Sequence, residues 1–382
     1  MKRRDFLKVA ATLPTFSILP ITSEAARTNT SPDRIVVFVK LAGGNDGLNM
    51  VVPYQDPQYY KLRPTVAVPR HLALPLEQNM ALNPYMKALM PLWKAGEIAW
   101  LQGIGYQNTD LSHFRSLDIW ETASSVNEYK TEGWLNDVLP RFKPGLHGIV
   151  LDEEAGPFCG KDCNAIAMQS PEVFLSQVSL VDDIRPNTYN PALKHITQVQ
   201  HQLYAAGNQL RTKMSRPQGL NVPFSTSVFG RRLESVAKMI VNGIDAAAYK
   251  VELDGFDTHV NQVDVQSNLL QHLAVGLASF ANAMKRAGKW DNVIVVTYSE
   301  FGRRVQENHG RGTDHGSGST HIVMGGRVRG GLYGDNPRLT ELDHNMNLPS
   351  HMDFRKLYGT ITQNWWRQNN PWAGLGVLPI IS

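Results

Sequence analysis

The feature that most constrains the fold is a set of short apolar runs, each ending in a loop of glycine and polar residues. The clearest run is "VIVVT" at 293–297, where every side chain is β-branched. Such a run predicts a strand. The runs at 35–39, 98–101 and 249–253 have the same form, and "STHIVMGG" at 319–326 contains a fifth candidate strand. Near-continuous apolar runs are typical of strands buried on both faces of a parallel sheet.

Helical patterns lie between these runs. Residues 265–284 carry apolar side chains at helical spacing, and residues 226–243 begin at an N-cap and end at a glycine. Alternating strands and helices predict an α/β fold with a mostly parallel central sheet and helices on both faces. Residues 120–225 are less regular and are predicted to form a cap or insertion. With 42% hydrophobic and 19% charged residues, the chain is globular in composition, and residues 26–382 are expected to form a single domain.

The N-terminal sequence "MKRRDFLKVAATLPTFSILPITSEAA" places two arginines before an apolar stretch at 9–21. It resembles a twin-arginine signal peptide over residues 1–25. The alternatives are a short membrane anchor or a buried helix, but two prolines interrupt the stretch and it is short for a bilayer. We expect the twin-arginine export machinery to deliver the protein to the periplasm or the cell exterior. No stable membrane insertion is expected after signal removal.

Net charge gives no reason to expect nucleic acid as a partner. The formal charge is +4, and loss of residues 1–25 removes four basic and two acidic side chains, which leaves +2. A domain that binds the negatively charged phosphate backbone of nucleic acid usually carries a strongly basic surface.

Potential ligands and nucleophiles lie next to each of the predicted strands. Open α/β sheets bind ligands at the carboxyl ends of their strands, so these side chains are expected to converge. Taken singly, each also fits a turn former or a helix cap. In chain order they are Asp46; then Ser112, His113 and Arg115; then Asp254, Asp257 and His259; then Glu300; and finally Asp314 and His315.

The carboxylates and imidazoles in this set are ligands for a divalent metal ion: zinc, calcium, manganese or magnesium. The predicted metal ligands are Asp46, Asp254, Asp257, His259, Glu300, Asp314 and His315. Two such ions would polarise an anionic ester and stabilise its attacking and leaving oxygens.

The predicted catalytic residues come from "LSHFR" at 111–115. Ser112 at a helix start would be the nucleophile, in a positive field that favours its alkoxide. Arg115, one turn on, would pair with phosphate or sulfate oxygens. His113 is a further ligand or general acid, and a hydrogen-bonded structural histidine is the alternative.

These motifs resemble a bacterial family known as domain of unknown function 1501. The resemblance spans nearly the whole mature chain and is carried by "LAGGNDGLN", "LSHFRSLDIWETA", "LDGFDTH", "SEFGRR", "GTDHGSGSTHIVMGG" and "DFRKLYGTI". That family is in turn similar to the alkaline phosphatase and sulfatase superfamily. The resemblance implies an alkaline-phosphatase-like fold with Asp46 as the first metal ligand and Ser112 as the nucleophile. It also implies that Asp254 or Asp257 with His259 forms the third element of the site, and that His315 is the final histidine.

The sequence departs from the superfamily after "VIVVT". Where the superfamily carries an Asp-His pair, this chain has Ser299-Glu300-Phe301, so one metal position loses its imidazole. Three alternatives follow: Asp314-His315 compensates, the site holds one metal, or catalysis is lost.

The favoured function is an exported, metal-dependent hydrolase of phosphate or sulfate esters, with an anionic ester as its substrate. The alternative is a non-catalytic metal- or ligand-binding protein that retains the fold and acts with a co-exported partner. A third reading is a polysaccharide-associated protein that uses the cleft for recognition only.

Overall fold

The computed structural model describes residues 34–143, 145–152, 154–184, 189–215 and 218–382, so the predicted signal peptide lies outside the described residues. Its centre is a nine-stranded sheet formed by β1 (Ile35–Ala42), β5 (Ile98–Gly105), β6 (Gly148–Val150), β7 (Ala165–Ala167), β8 (Ala248–Asp254), β9 (Val293–Tyr298), β12 (Ser319–Gly325), β13 (Gly331–Tyr333) and β14 (Met352–Asp353). The strand order is β13-β5-β12-β9-β1-β8-β6-β7, and β14 pairs with β5. Short strands outside this sheet are β2 (Val51–Val52), β3 (Leu74–Pro75), β4 (Ala81–Leu82), β10 (Gly302–Arg303) and β11 (His315–Gly316).

The central strands are parallel, as the apolar runs predicted. In the register of β1, Val37 lies between Tyr249 of β8 and Val295 of β9. Side chains of β1 alternate between the two hydrophobic cores, with Val37 and Val39 in one and Val36 and Phe38 in the other. Each such side chain, fully buried, contributes about 1.5–3 kcal/mol, which explains why the run shows no polar alternation.

Strand β12 is the exception because it runs antiparallel to both β5 and β9. The expectation that "HIVMGG" is another parallel strand is therefore wrong in direction. An antiparallel strand begins at the edge where its parallel neighbours end. Asp314 and His315, which precede β12, thus lie at the carboxyl edge of the sheet.

Helices cover both faces of the sheet, as predicted. The described helices are α1 (Pro57–Leu62), α2 (Met90–Lys94), α3 (His113–Thr122), α4 (Trp134–Val138), α5 (Pro171–Val178), α6 (Pro191–Met214), α7 (Val228–Val241), α8 (Gln262–Arg286) and α9 (Phe354–Thr360). Helices α7 and α8 pack on one face, and α3, α4 and α9 pack on the other. Short 3₁₀ turns span Gly47–Asn49, Pro84–Leu89, Leu139–Arg141, Gly156–Phe158, Trp290–Asn292 and Ala373–Leu375, and a π-helical turn spans Ile361–Trp365.

The segment 120–225 is not wholly a cap, because it adds β6 and β7 to one edge of the central sheet. Each of these strands has three residues, "GIV" and "AIA". Runs this short carry no periodicity by which the sequence could reveal them. Within the described ranges, no helix combines the length and the apolar character needed to cross a membrane.

Candidate metal centre

The loops that leave β1, β8 and β9 meet the start of α3 and the segment before β12 at one edge of the sheet. Three histidines and one aspartate face one another there: His113, Asp257, His259 and His315. Within the described residues, His113, Asp257 and His315 bring their ligand atoms within 4.8 Å of one another. These side chains are partly exposed, so a small molecule in solvent can reach them.

The Asp257 carboxylate is the centre of this group. Its Oδ1 lies 3.1 Å from Nε2 of His259 and 3.2 Å from Nε2 of His315. Its Oδ2 lies 3.5 Å from Nε2 of His113. The two Nε2 atoms of His259 and His315 are themselves 3.0 Å apart. Ligand atoms at about 2.0–2.1 Å from a tetrahedral zinc ion are separated by about 3.3 Å, so these spacings fit such an ion.

An oxygen atom behind each imidazole fixes its orientation. Metal-ligating histidines are usually held in this way by a carboxylate or a carbonyl. Nδ1 of His113 lies 3.0 Å from Oε1 of Glu300, Nδ1 of His259 lies 3.3 Å from Oδ1 of Asp314, and Nδ1 of His315 lies 2.9 Å from the carbonyl oxygen of Leu111.

These contacts decide the proton positions. The carbonyl oxygen of Leu111 can only accept, so Nδ1 of His315 carries the hydrogen and its Nε2 presents a lone pair. The same argument applies to His259 beside the carboxylate of Asp314. Two nitrogen lone pairs 3.0 Å apart then face each other and one oxygen of Asp257. Such an arrangement is repulsive unless a proton or a metal cation lies among the three atoms, and a donor set of imidazoles and a carboxylate fits a divalent metal ion.

Charges around the centre keep the carboxylates ionised. Burial opposes ionisation of Asp257, but the hydrogen bond and charge of Arg303 outweigh it and lower its pKa. Burial likewise opposes ionisation of Glu300, and the bond from His113 lowers its pKa overall. The same bond raises the pKa of His113. The hydrogen bond from Asn308 lowers the pKa of Asp314.

Arg303 is a residue of the site that the sequence reasoning missed. It is buried, and its Nη2 donates to Oδ1 of Asp257 at 2.6 Å. Its other donors bond backbone carbonyls, including those of Gly44 at 2.6 Å and Thr313 at 2.8 Å. The pairing of β10 with β11 sets Arg303 opposite His315. Arg303 is part of the motif "SEFGRR", but the sequence does not show which carbonyl oxygens an arginine will bond in the folded chain.

Phe301, which replaces the expected histidine, packs against two of the imidazole rings. Its ring centroid lies 4.4 Å from that of His315 and 4.9 Å from that of His113. Gly44 makes room for it: the glycine has φ +78°, and a Cβ there would lie 2.4 Å from the ring. Phe301 therefore supports two of the imidazoles instead of supplying one.

Two predicted metal ligands are corrected to other roles. Asp46 is buried in a two-pronged ion pair with Arg63, with oxygen–nitrogen distances of 2.6 and 3.1 Å, and also accepts from Gln262. Its oxygens are thus occupied by internal donors. Asp254 is exposed at the end of β8, where it accepts from the backbone nitrogen of Gly255 at 2.7 Å. Within the part of the chain that the structure describes, no hydrogen bond or ion pair joins it to the histidines.

Glu300 and Asp314 are also displaced from the predicted ligand set, because they lie behind histidines. Both oxygens of Glu300 have partners within the protein, including the backbone nitrogen of Gly43 at 2.8 Å. Asp314 accepts from Asn308 at 2.9 Å. Of the seven predicted ligands, Asp257, His259 and His315 remain in position to contact a metal, and His113 joins them.

The predicted catalytic residues separate. Ser112 is exposed at the start of α3, between Leu111 and His113, both of which contact the centre. Arg115 is committed elsewhere: its Nη2 donates to the carbonyls of Ser125, Val126 and Glu128, and it forms an ion pair with Asp118. The expectation that Arg115 binds substrate oxygens is therefore corrected.

Comparison with known proteins finds a family model that matches part of the chain. Residues 191–371 match the family model described as "Protein of unknown function (DUF1501)". The DUF1501 segment contains Asp257, His259 and His315, whereas His113 precedes it. The predicted resemblance is thus confirmed over this segment, and the chain has no significant match among curated proteins.

Solved structures similar to the chain include members of the alkaline phosphatase superfamily. One is a protein of that superfamily from Vibrio parahaemolyticus, with 10% identity and a TM-score of 0.34, covering 88% of this chain and 72% of that one. Another is the PsFucS1 sulfatase from Pseudoalteromonas sp., with 11% identity and a TM-score of 0.36, covering 91% and 69%. A third is lipooligosaccharide phosphoethanolamine transferase A from Neisseria meningitidis, with 10% identity and a TM-score of 0.37, covering 84% and 52%. Likenesses this distant say nothing about what this chain does.

Proposed function

We propose that this protein is an exported, metal-dependent hydrolase of phosphate or sulfate esters. The observation that carries the proposal is the convergence of three imidazole Nε2 atoms on the Asp257 carboxylate, each imidazole being held from behind by an oxygen. A divalent ion bound there supplies Lewis acidity toward the oxygens of an anionic ester. Three imidazoles and one carboxylate suit zinc better than calcium or magnesium, which prefer oxygen ligands.

Ser112 is the proposed nucleophile. It begins α3, whose N-terminal backbone dipoles favour negative charge on its oxygen and on an anionic substrate. In the proposed step, Oγ bonds to the phosphorus or sulfur atom, the bond to the leaving alkoxide breaks, the alkoxide takes a proton from water, and the serine proton passes to solvent. Water then cleaves the serine ester. The chain's task is to orient Ser112 between Leu111 and His113, which both contact the centre.

One observation favours the non-catalytic alternative. The cation nearest in sequence to Ser112 is Arg115. Its Nη2 bonds the loop at 125–128, its Nη1 pairs with Asp118, and its Nε is buried, so the guanidinium is turned away from substrate oxygens. A metal-binding protein without turnover would have no need for such a cation. The two functions therefore differ in the consequence of replacing Ser112.

The test begins with elemental analysis of the purified full chain, prepared without chelator or added metal. Stoichiometric metal is expected in the native protein and in His272→Ala, which replaces an exposed histidine of α8. The double variant His259→Ala/His315→Ala should lose it. Absence of metal from the native protein, with none taken up from zinc or manganese solutions, would refute the proposal.

The second stage measures hydrolysis of phosphate and sulfate esters by the metal-loaded protein. Turnover that disappears in Ser112→Ala, while metal content is retained, supports the hydrolase. Bound metal without turnover of any ester supports the non-catalytic binding protein instead.

A further inference from the structure

The loop between β10 and β11 packs directly on the segment that follows β8. The backbone nitrogen of Asn261 donates to the carbonyl of Gly310 at 3.1 Å. Gly312 lies so close to His259 that a Cβ there would be 2.3 Å from the carbonyl carbon of the histidine. That approach is closer than a Cβ allows, so only glycine fits at this position. The loop therefore bears directly on a histidine of the candidate metal centre.

Asn308 lies in the middle of this loop, and its side-chain amide uses all of its hydrogen-bonding capacity. Its Oδ1 accepts from the backbone nitrogen atoms of Gly310 and Gly312, at 2.8 and 3.2 Å. Its Nδ2 donates to the carbonyl oxygen of His259 at 3.0 Å and to Oδ1 of Asp314 at 2.9 Å. Backbone nitrogens only donate, and carbonyl and carboxylate oxygens only accept, which fixes the orientation of the amide. One side chain thus closes the loop and joins it to His259 and Asp314.

The oxygen held by Asn308 is the one that orients the ring of His259. Nδ1 of His259 lies 3.3 Å from the same Oδ1 of Asp314. The Asp314 side chain is 49% exposed, so burial does not fix its rotamer. Among the described residues, the hydrogen bonds to its carboxylate come from Asn308 and His259. Since Asn308 also bonds the carbonyl of His259, it holds both the backbone that carries the ring and the oxygen that the ring meets.

The change Asn308→Asp separates these two donated bonds from the shape of the side chain. An aspartate has the shape of an asparagine, and its oxygen would still accept from the backbone nitrogens of Gly310 and Gly312. It would lose both bonds to His259 and Asp314 and would set a second negative charge against Asp314. Like charges at this distance repel, so the Asp314 carboxylate would turn away from the ring that it orients.

We propose that Asn308 is a positioning residue of the metal centre, which directs the ring of His259 by holding the backbone of that histidine and the Asp314 carboxylate together. It acts only through these two residues and does not itself contact the metal. Partners behind metal-bound histidines affect metal binding nearly as much as the ligands do. That the ring so directed binds a metal ion rests on the proposed function. That Asn308 directs the ring does not.

Nitrogen-15 NMR of the histidine rings in the metal-free full chain tests the positioning without metal or turnover. The His259 signals are identified by their loss in His259→Ala. At about pH 8, where an ordinary imidazole is neutral, the native ring should carry its hydrogen on Nδ1, because Oδ1 of Asp314 accepts there. Asn308→Asp should mix the two tautomers, whereas Asn108→Asp, the same change at an exposed asparagine outside the loop, should not. Asn308→Ala, which removes the donors without adding a charge, should also mix them and serves if the first variant folds poorly.

A double-mutant cycle on zinc affinity tests the same role in the metal-loaded protein. Asn308→Asp should weaken zinc binding by about 10- to 100-fold, the usual effect of losing a support behind a metal-bound histidine. In an Asp314→Asn background there is no carboxylate for Asn308 to hold, so the same change should cost roughly fivefold less. A merely structural effect of Asn308 would be equal in the two backgrounds. Asn108→Asp should leave zinc affinity unchanged.

The positioning role and the proposed function can fail separately. A His259 tautomer that neither Asn308 variant alters, or an equal loss of zinc affinity in the two backgrounds, would overturn the positioning role and leave the proposed hydrolase standing. A native chain that binds no zinc, while its His259 tautomer depends on Asn308, would overturn the proposed metal centre and support the positioning role.

Discussion

Replacing Glu300 by glutamine removes the negative charge beside Nδ1 of His113 but keeps the size and shape of the side chain. Oε1 of Glu300 accepts from Nδ1 of His113 at 3.0 Å and from the backbone nitrogen of Gly43 at 2.8 Å. A glutamine oxygen in that position keeps both bonds. The glutamine amide can donate to Oγ of Ser299, whose own proton goes to the carbonyl of Leu41 at 2.6 Å. The hydrogen bonds of the fold thus survive, and only the charge is lost.

The expected loss of metal affinity follows from the weaker hydrogen bond between residue 300 and Nδ1 of His113. Glu300 is 4% exposed, so solvent does not screen its charge from His113. A hydrogen bond to a charged group contributes about 1.5–3 kcal/mol, against about 1 kcal/mol for a neutral one. The variant should therefore bind metal more weakly by about 1–2 kcal/mol, or roughly five- to thirty-fold. Replacing a carboxylate that hydrogen-bonds a metal-bound histidine typically lowers metal affinity or activity by about 10- to 100-fold.

Competition titration of the metal-free protein with zinc and a chromophoric chelator measures this change. The matched control is Glu341→Gln, which removes the charge of an exposed glutamate paired with Arg338. Its zinc affinity and melting temperature should equal those of the native protein. An unchanged zinc affinity in Glu300→Gln, with the fold intact, would refute the role assigned to this carboxylate. A large fall in melting temperature would instead refute the hydrogen-bond argument.

Three further changes test other parts of the structure. Arg303→Lys cannot supply the donors that hold Asp257 and the surrounding carbonyls, so the unfolding free energy of the metal-free chain should fall by about 3–5 kcal/mol in urea; an unchanged midpoint would contradict this. Burial lowers the pKa of His147 to about 4, so the unfolded chain takes up this proton first and stability falls as the pH drops from about 6.5 to 4. His147→Asn should lose less stability across that window than the native chain in urea titrations at each pH, and identical losses would refute the assignment. Gly148→Ala would set its Cβ 2.1 Å from a phenylalanine ring and should cost about 1–3 kcal/mol by thermal unfolding, whereas Gly374→Ala has open space and should cost nothing measurable.

The sequence predicted the elements whose pattern is local. The β-branched run 293–297 and the helical spacing of 265–284 lie in β9 and α8, because long buried strands and helices carry their periodicity in neighbouring residues. The antiparallel direction of β12 was missed, since an apolar strand has the same pattern in either direction. Direction depends on which neighbours it meets.

The site shows the same division between local and tertiary information. His259 and His315 were predicted because each follows or precedes a recognisable strand. The separate role of Asp46 was not, because it depends on Arg63, seventeen positions away and paired with it only in the folded chain. Chemical type alone does not distinguish a carboxylate that faces a cavity from one that faces a buried guanidinium.

The supports behind the imidazoles argue that the cluster is more than a polar loop. The three histidines come from three separate segments, and each meets a different kind of partner: Glu300 after β9, Asp314 beside the histidine pair, and the backbone of Leu111. A solvated loop needs none of these supports, because water satisfies an exposed imidazole at no cost in chain geometry. Three independent supports that direct all three Nε2 atoms to one carboxylate are what the proposed metal centre requires.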